Sequence, residues 1–186
     1  MVSFLDEYGI FRIVFHNTSE GMIMTSEGRQ MTSPRERVTQ CVKTGPCSCR
    51  TADGVIDLSP LADNVTARYK DVPDSEGADM YSWNPCLSFT ETPHCVNVAA
   101  CQRTIGLNES QNIGTQDSAQ FVVTDQGDLT LQYTYPDPSG ANRTTIVTLL
   151  YYPHAHDMIA IAGEMVALQY SITLMSKFAC VNKDLE

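Results

Sequence analysis

The sequence predicts an all-β fold, a sandwich or barrel built from short strands. Apolar and polar residues alternate over short segments, and turn-forming residues separate these segments at close spacing, with few helix caps. Seven cysteines between Cys41 and Cys180 are typical of a disulfide-linked domain outside the cytosol. Because 186 residues suit one sizeable core, we expect one domain preceded by an N-terminal extension.

Residues 1–40 are predicted to form a poorly structured extension or linker, since they carry no cysteine. Within them, residues 4–15 are apolar enough for a short strand or helix. Residues 16–40 are rich in Ser, Thr, Gly, Glu and Arg, which indicates linker or disorder. Residues 1–8 contain two acids where a signal peptide needs an apolar run, so we expect a fragment or a mispredicted gene start.

Turn residues delimit the strands in the first half of the domain. Asp53 and Gly54 mark a tight turn before the segment 55–58, which is β-branched at its start. Residues 70–79 are predicted to be a loop, and the next strand begins near Met80.

The clearest hairpin joins residues 121–124 to residues 129–135 through the turn 125–128. Its second arm has the period of a half-buried strand. The apolar positions of that arm are Leu129, Leu131, Tyr133 and Tyr135.

Residues 143–152 predict a further strand, residues 153–157 break it, and residues 158–175 supply one or two more. The break contains His154 and His156, which could charge in acidified compartments or hold a metal. Two histidines on a loop are more often merely exposed, so we assign no metal site to them.

The charge balance excludes some partners. Twenty-two acidic residues against 12 basic ones give a formal net charge of -10, which disfavours phosphate backbones and anionic membranes. Nucleic acid is therefore not expected as a partner. No run reaches the 18 apolar residues of a membrane span, so a span would have to lie in a longer protein. The sequence sets no oligomeric state.

The cysteines favour the lumen of the secretory pathway or the extracellular space. Four Asn-x-Ser/Thr sequons agree with this location: Asn17, Asn64, Asn108 and Asn142. The alternatives are a reduced cytosolic protein or a zinc site. The residues that such a zinc site would use are Cys41, Cys47, Cys49, His94 and Cys95. One residue separates Cys47 from Cys49, and this is not the spacing of a zinc knuckle.

Four polar residues form a hydrogen-bonding set suited to one sugar ring, whose hydroxyls must each donate and accept when desolvated. They are Gln102, Arg143, Glu164 and Tyr170. Each has a structural alternative: Gln102 could bond a backbone loop, Arg143 could form a surface ion pair, and Tyr170 could belong to the core. Glu164 lies in an apolar stretch and needs a partner, for which Arg143 is the natural candidate.

The spacing of Glu164 and Tyr170 requires a bend. Six residues of straight strand would separate them by about 20 Å, much more than a monosaccharide spans. Gly163 and Ala167 permit a turn. We therefore predict that Glu164 ends one element and that Tyr170 lies on the next.

A series of motifs in a characteristic order surrounds this set. They are residues 81–86, Cys95, Cys101-Gln102, the Arg143 strand, Glu164, Tyr170 and the closing residues 178–180. In this order the chain resembles the mannose 6-phosphate receptor homology domain, over residues 41–182, with 183–186 as a tail. The resemblance implies a flattened β-barrel of two antiparallel sheets.

The resemblance also implies roles for the four residues and two disulfides. The matching Gln, Arg, Glu and Tyr contact mannose hydroxyls in that family. Phosphate recognition does not carry over, because residues 136–142 are short and contain no cysteine. The implied disulfides are Cys49–Cys86 and Cys95–Cys101. Where the family has a cysteine after the Arg strand, this chain has Tyr151 and Tyr152, so Cys180 must join Cys41 or Cys47, pair with another chain or stay free.

The expected function is that of a non-enzymatic lectin module in the secretory or lysosomal pathway. It would bind mannose or mannose 6-phosphate on N-glycans or glycoproteins for sorting or quality control, without a cofactor. One alternative is a domain of the same ancestry that has lost the sugar and binds proteins. Another is a hydrolase in which Asp117 or Asp157 is paired with Glu164, but no catalytic motif in the sequence supports it.

Overall fold

The computed structural model describes residues 2–6, 9–18 and 21–25 by backbone, and residues 40–92, 94–107, 109–153 and 156–181 in full. The chain divides into two compact units, Met1–Arg37 and Val38–Glu186. Each unit is described by itself.

The first unit contains a three-stranded antiparallel meander of β1 (Val2–Asp6), β2 (Gly9–Thr18) and β3 (Gly21–Thr25). Of the two alternatives for residues 4–15, the structure therefore has the strand. The prediction of a linker is wrong for residues 16–18 and 21–25, because two neighbouring strands pair there. Residues 26–39 lie outside the described residues.

The second unit begins with a small antiparallel sheet in the order β4-β5-β6. Its strands are β4 (Val42–Lys43), β5 (Ser48–Thr51) and β6 (Gly54–Asp57). The predicted strand after the Asp53-Gly54 turn is thus confirmed, and a 3-10 turn at Ser59–Leu61 follows it.

A four-stranded antiparallel sheet follows, in the order β10-β9-β8-β7. Its strands are β7 (Tyr69–Pro73), β8 (Asp79–Trp83), β9 (Ala100–Thr104) and β10 (Ser110–Gly114). The loop predicted over residues 70–79 is wrong for residues 70–73. A bulge at Asp71, whose φ is 52°, shifts the register between Tyr69 and Val72 and removes the alternation that would have revealed the strand.

The third sheet of this unit has five strands in the order β11-β12-β13-β15-β14. They are β11 (Gln120–Val123), β12 (Leu129–Pro136), β13 (Asn142–Tyr151), β14 (Met158–Val166) and β15 (Gln169–Ser176), and a 3-10 turn at Gln116–Ser118 precedes them. The predicted β11–β12 hairpin is confirmed. The expectation of purely antiparallel sheets is wrong here, because the chain crosses from β13 to the edge strand β14 and returns as β15, parallel to β13.

The four-stranded and five-stranded sheets pack together around an apolar core, so the predicted all-β sandwich is confirmed. Over the described residues the sheets do not close into a barrel. Aromatic and branched side chains from both sheets are fully buried, and the Tyr69 and Trp83 rings stack with centroids 5.4 Å apart. Other fully buried core residues include Tyr133, Leu131, Val147, Ile172 and Leu174.

All seven cysteines are described, and six of them form the disulfides Cys41–Cys49, Cys47–Cys86 and Cys95–Cys101. The prediction of Cys95–Cys101 is confirmed. The prediction of Cys49–Cys86 is wrong, because pairing of β5 with the short β4 brings Cys49 to Cys41 and leaves Cys47 for Cys86.

Of the alternatives for Cys180, the structure has the free thiol, and burial raises its pKa. All four cysteines of the zinc alternative are in disulfides, so none of them can bind zinc as a thiolate. Three intramolecular disulfides are typical of the secretory pathway or the extracellular space. Among the described residues, the chain forms no helix with the length and apolar character needed to cross a membrane.

Candidate functional site

The four predicted residues lie on four strands of the two packed sheets. Gln102 is in β9 of the four-stranded sheet, and Arg143, Glu164 and Tyr170 are in β13, β14 and β15 of the five-stranded sheet. Arg143 and Tyr170 are each the second residue of their strand. Because β13 and β15 run parallel, the two residues lie at the same end of the sheet.

The predicted bend between Glu164 and Tyr170 is confirmed. β14 ends at Val166, Leu168 adopts a φ of 64° in the turn, and Tyr170 lies directly opposite Glu164 on the returning strand. Residues paired in this way have Cβ atoms about 5 Å apart instead of about 20 Å along a straight strand. The turn is tied to β13, because Thr144 N–H donates to the Leu168 carbonyl at 2.7 Å.

The prediction that Arg143 is the partner of Glu164 is wrong. Its carboxylate is exposed and accepts a hydrogen bond from Leu168 N–H at 2.6 Å, so it braces the turn instead of pairing with Arg143. Register shifts on either side of Gly163 and Glu164 turn this part of β14 away from the core. Gly163 has a φ of 87°, and a Cβ there would meet the Asp74 side chain at 3.1 Å, so the bulge requires glycine.

Arg143 instead forms a salt bridge with Asp137, which the short turn before β13 supplies. Nη2 lies 2.7 Å from Asp137 Oδ2, and Nη1 donates to the Asn112 carbonyl of β10 at 3.4 Å. Hydrogen bonds from Ser139, with the Arg143 charge in addition, hold the pKa of Asp137 below its usual range. The Arg143 Nε is buried and has no hydrogen-bond partner among the described residues.

Gln102 is 4% exposed, and its side chain is held in one orientation. Nε2 donates to Asp79 Oδ2 at 2.7 Å and to Tyr81 Oη at 3.0 Å, while Oε1 accepts from Gln111 Nε2. Gln111, Gln102 and Tyr81 are register partners on three adjacent strands, so their side chains form a row on one face of the sheet.

Tyr81 connects this row to the opposite sheet, since its ring centroid lies 6.3 Å from that of Tyr170. Tyr170 is 1% exposed, and its hydroxyl has no hydrogen-bond partner in the described part of the chain. Burial, with the nearby Glu164 carboxylate adding to it, raises the pKa of Tyr170 to about 12, while the Arg143 charge acts in the opposite direction. The phenol is therefore neutral and able to donate.

Three buried polar atoms around this junction have no partner among the described residues: Arg143 Nε, Tyr170 Oη and Asp79 Oδ1. Folded proteins satisfy nearly all of their buried polar atoms, so such a group calls for an explanation, of which an absent ligand is one. Together the three atoms offer donors and an acceptor.

Asp79, Tyr81 and Asp137 were not among the predicted site residues. Strand alternation could have found Asp79, because it lies two positions before Tyr81 and so on the same face. Nothing in the local sequence points to Asp137 as the partner of Arg143. The ion pair depends on how the turn at residues 136–142 folds back over the start of β13.

A cavity of about 270 Å³ lies beside Gln102. Its lining is polar and contains Gln102 together with His94, Thr104, Glu109, Ser110 and Gln111. Of the four predicted residues, Gln102 alone lines this cavity; the other three lie around the Tyr81–Tyr170 contact.

Two other expectations concern residues outside this junction. His154 lies outside the described residues, His156 is exposed, and the described residues contain no group of three or more potential metal ligands. Asp157 directly precedes β14, whereas Glu164 lies near the other end of that strand, and Asp157 accepts a hydrogen bond from Ser176, so the structure does not bring Asp157 and Glu164 together.

The fold and the site together define a disulfide-linked β-sandwich domain with a polar junction between its two large sheets. No protein-family model matches the chain, and no curated protein sequence matches it.

Proposed function

We propose that residues 41–181 form a non-enzymatic lectin module that binds a neutral mannose unit of N-glycans at the Gln102, Arg143, Glu164 and Tyr170 junction. The observation that carries the proposal is the cluster of buried, unpartnered polar atoms on Arg143, Tyr170 and Asp79, considered among the described residues. A hexose hydroxyl both donates and accepts, so one sugar ring can satisfy such a mixed set.

In the proposed site each residue has a distinct role. Gln102 is fixed by Asp79 and Tyr81, which lowers the entropic cost of ordering it on binding. Arg143 Nε donates, Asp79 Oδ1 accepts, and the Tyr170 hydroxyl does either. Glu164 lies opposite Tyr170 on the exposed side, where a carboxylate can accept from a hydroxyl further out.

The charge around the junction favours a neutral sugar over a phosphorylated one. The guanidinium of Arg143 is already paired with Asp137, and the carboxylates of Asp79 and Glu164 lie near Tyr170. A phosphate would meet more negative than positive charge. The turn that would have to supply phosphate ligands supplies Asp137 instead.

The resemblance to the mannose 6-phosphate receptor homology domain supports the same proposal from the sequence. It extends the proposal to glycoprotein sorting or quality control in the endoplasmic reticulum, Golgi or endosomal and lysosomal lumen, or to an extracellular role. The missing cysteine after the Arg strand is compatible with this, because the β13–β15 ladder, which ends at the Tyr151–Ser176 pair, joins the two strands without a cross-link.

A glycan array followed by calorimetry with methyl α-mannoside tests the proposal. We expect binding to mannose-terminated glycans, and an affinity about 100-fold lower in Arg143→Ala, since a hydrogen bond from a charged group contributes about 1.5–3 kcal/mol. Glu164→Gln should weaken binding about 10-fold. Asp125→Asn, an exposed change in the β11–β12 turn, is the matched control and should bind like the wild type.

One observation favours a second candidate, a domain that has lost the sugar and binds proteins. Both ends of the Gln102 amide and the tip of the Arg143 guanidinium already have partners within the chain, so these groups are partly self-satisfied. A folded wild-type protein that binds no glycan on the array, or binding that survives both substitutions, would support this candidate and contradict the lectin.

A further inference from the structure

Two of the four Asn-x-Ser/Thr sequons, those that begin at Asn64 and Asn142, lie where the structure describes side chains. All three residues from Asn64 to Thr66 are exposed, whereas Arg143 and Thr144 of the other sequon are half-buried in β13. We propose that Asn64 is an N-glycosylation site that receives an oligosaccharide in the lumen of the secretory pathway. This modification does not depend on whether the domain binds mannose.

The turn that contains Asn64 is firmly attached at its base. The buried Asn84 side chain donates to the Asp63 carbonyl at 2.9 Å and accepts from Asp63 N–H at 3.0 Å. The Asp63 carboxylate accepts from the N–H groups of Val65 and Thr66, each at 2.8 Å. The hydrogen bonds from Thr66 and Val65 hold the pKa of Asp63 below its usual range, so the carboxylate is ionised at neutral pH.

The tip of this turn can carry a bulky group. Val65 is 84% exposed, and Asn64 and Thr66 on either side of it are exposed as well. The hydrogen bonds that shape the turn use backbone groups and the side chains of Asp63 and Asn84, so a substituent on Asn64 Nδ2 breaks none of them. A glycan is bulky and solubilising, and such a group needs an acceptor at the surface.

The Asn64 turn lies away from the proposed mannose junction. Asp79, which belongs to the junction, is the first residue of β8, and Asn84, which holds the turn, directly follows the last residue of that strand. Five residues of extended strand separate the two positions by about 16 Å. A glycan attached at Asn64 therefore starts at the far end of β8 and leaves the junction open.

The chain contributes only the acceptor to this reaction, and the co-reactant is a lipid-linked oligosaccharide. A bond forms between Asn64 Nδ2 and the anomeric carbon of the sugar next to the carrier. The bond from that carbon to a pyrophosphate oxygen breaks, the lipid pyrophosphate leaves with the electron pair, and the amide nitrogen loses one proton. The oligosaccharyltransferase of the secretory pathway catalyses the transfer, and Thr66 provides the hydroxyl that the sequon requires.

Peptide mapping of the full chain, secreted from eukaryotic cells behind an added signal sequence, tests this site. Trypsin releases residues 51–68, which contain Asn64 and neither a cysteine nor a second sequon. Peptide N-glycosidase removes an N-glycan and converts the asparagine that carried it to aspartate. We expect most of the wild-type peptide to be a glycopeptide before this treatment and to carry aspartate at position 64 after it.

Two changes at Thr66 form a matched pair. Thr66→Ala keeps Asn64 but removes the hydroxyl, so the glycan on this peptide should be lost. Thr66→Ser keeps the hydroxyl and should keep the glycan. Thr66 is exposed, so neither change disturbs the core, and the wild-type map requires no variant to fold. An unmodified 51–68 peptide in the secreted wild type overturns the site, as does a conversion at position 64 that occurs without the enzyme or persists in Thr66→Ala.

Discussion

Residues 41–101 and residues 120–176 are stabilised in different ways. The first region contains all three disulfides, whereas the second forms a five-stranded sheet and contains no cysteine. The candidate site needs both regions. Gln102 directly follows Cys101, the last residue of the first region, while Arg143 and Tyr170 lie in the second. The first region therefore depends on cross-links for its stability, and the second depends on packing.

Cross-links constrain the first region where its strands are short. Cys47–Cys86 ties the small sheet to the segment after β8, and Cys95–Cys101 closes the segment that leads into β9. Cys95 and Cys101 also belong to a small separate core with Phe89. The position of Gln102 is therefore fixed by a neighbouring disulfide as well as by its own hydrogen bonds.

The second region depends on its ladder and its core. β13 and β15 pair in parallel from Thr144↔Gln169 to Tyr151↔Ser176, and Val147, Ile172 and Leu174 are at most 1% exposed. Burial of such side chains stabilises by about 1.5–3 kcal/mol each. This sheet keeps Arg143 beside Tyr170 without a covalent link.

The largest expected effect comes from breaking the longest cross-link. In Cys47→Ala/Cys86→Ala the free energy of unfolding should fall by about 4 kcal/mol, because that disulfide closes a loop of 39 residues. Cys95→Ala/Cys101→Ala, with a loop of 6, should cost about 2 kcal/mol by the same chain-entropy argument. Urea unfolding measures both. Equal losses would mean that local packing, and not loop closure, determines the contribution of these disulfides.

A smaller and more specific effect is expected at Tyr170. Its hydroxyl is buried without a hydrogen-bond partner in the described residues, so Tyr170→Phe removes no bond from the free protein. The free energy of unfolding should change by less than about 1 kcal/mol or rise, whereas mannoside affinity should fall about 10-fold. Thermal unfolding and calorimetry measure the two quantities.

Tyr151→Phe, an exposed change at the far end of β13, is the matched control and should alter neither quantity. A Tyr170→Phe protein that loses stability and keeps its affinity would mean that the hydroxyl serves the fold and not the ligand.

The difference between the two regions also explains which sequence predictions succeeded. Alternation predicted the β11–β12 hairpin and the β13 strand, because those strands are regular and half-buried. It failed at β7, where the Asp71 bulge breaks the period. The resemblance, and not alternation, implied Cys49 as the partner of Cys86, and this was wrong because the choice between Cys47 and Cys49 depends on the two-residue strand β4.

The candidate site was predictable in part for the same reason. The turn between Glu164 and Tyr170 followed from a distance argument that compares the strand rise with the size of a monosaccharide that both residues are expected to contact. The partner of Arg143 did not, because Asp137 reaches it through the conformation of a short turn. Long-range hydrogen bonds such as Gln102 to Asp79 depend on strand order, which local sequence does not specify.

The smallest expected effect concerns Glu91, which lies in the cross-linked region on the face opposite Gln102. Burial raises the pKa of Glu91, with the Asp71 carboxylate adding to it, while Ser82 and Lys70 act in the opposite direction. Arg103 binds Asp71 at 2.6 Å and holds the pKa of Asp71 below its usual range. As pH falls, Glu91 therefore takes up a proton before Asp71 does.

The sign of the pH effect follows from the raised pKa. The folded protein holds the Glu91 proton to higher pH than the unfolded chain, so this contribution to stability is complete below the ordinary pKa near 4.5 and is lost as pH rises through the raised value.

Glu91→Gln, whose amide can donate to Asp71, should raise the free energy of unfolding at pH 7 by about 1 kcal/mol and make no difference below about pH 4. Unfolding measured across this range tests it, and a variant that is less stable at pH 7 would mean that the ionised Glu91 has a favourable partner. Glu91 and Arg103 lie on the opposite face of the sheet from Gln102. The affinity of Glu91→Gln for methyl α-mannoside at pH 7 should therefore equal that of the wild type, so that the titration of Glu91 affects stability and not binding.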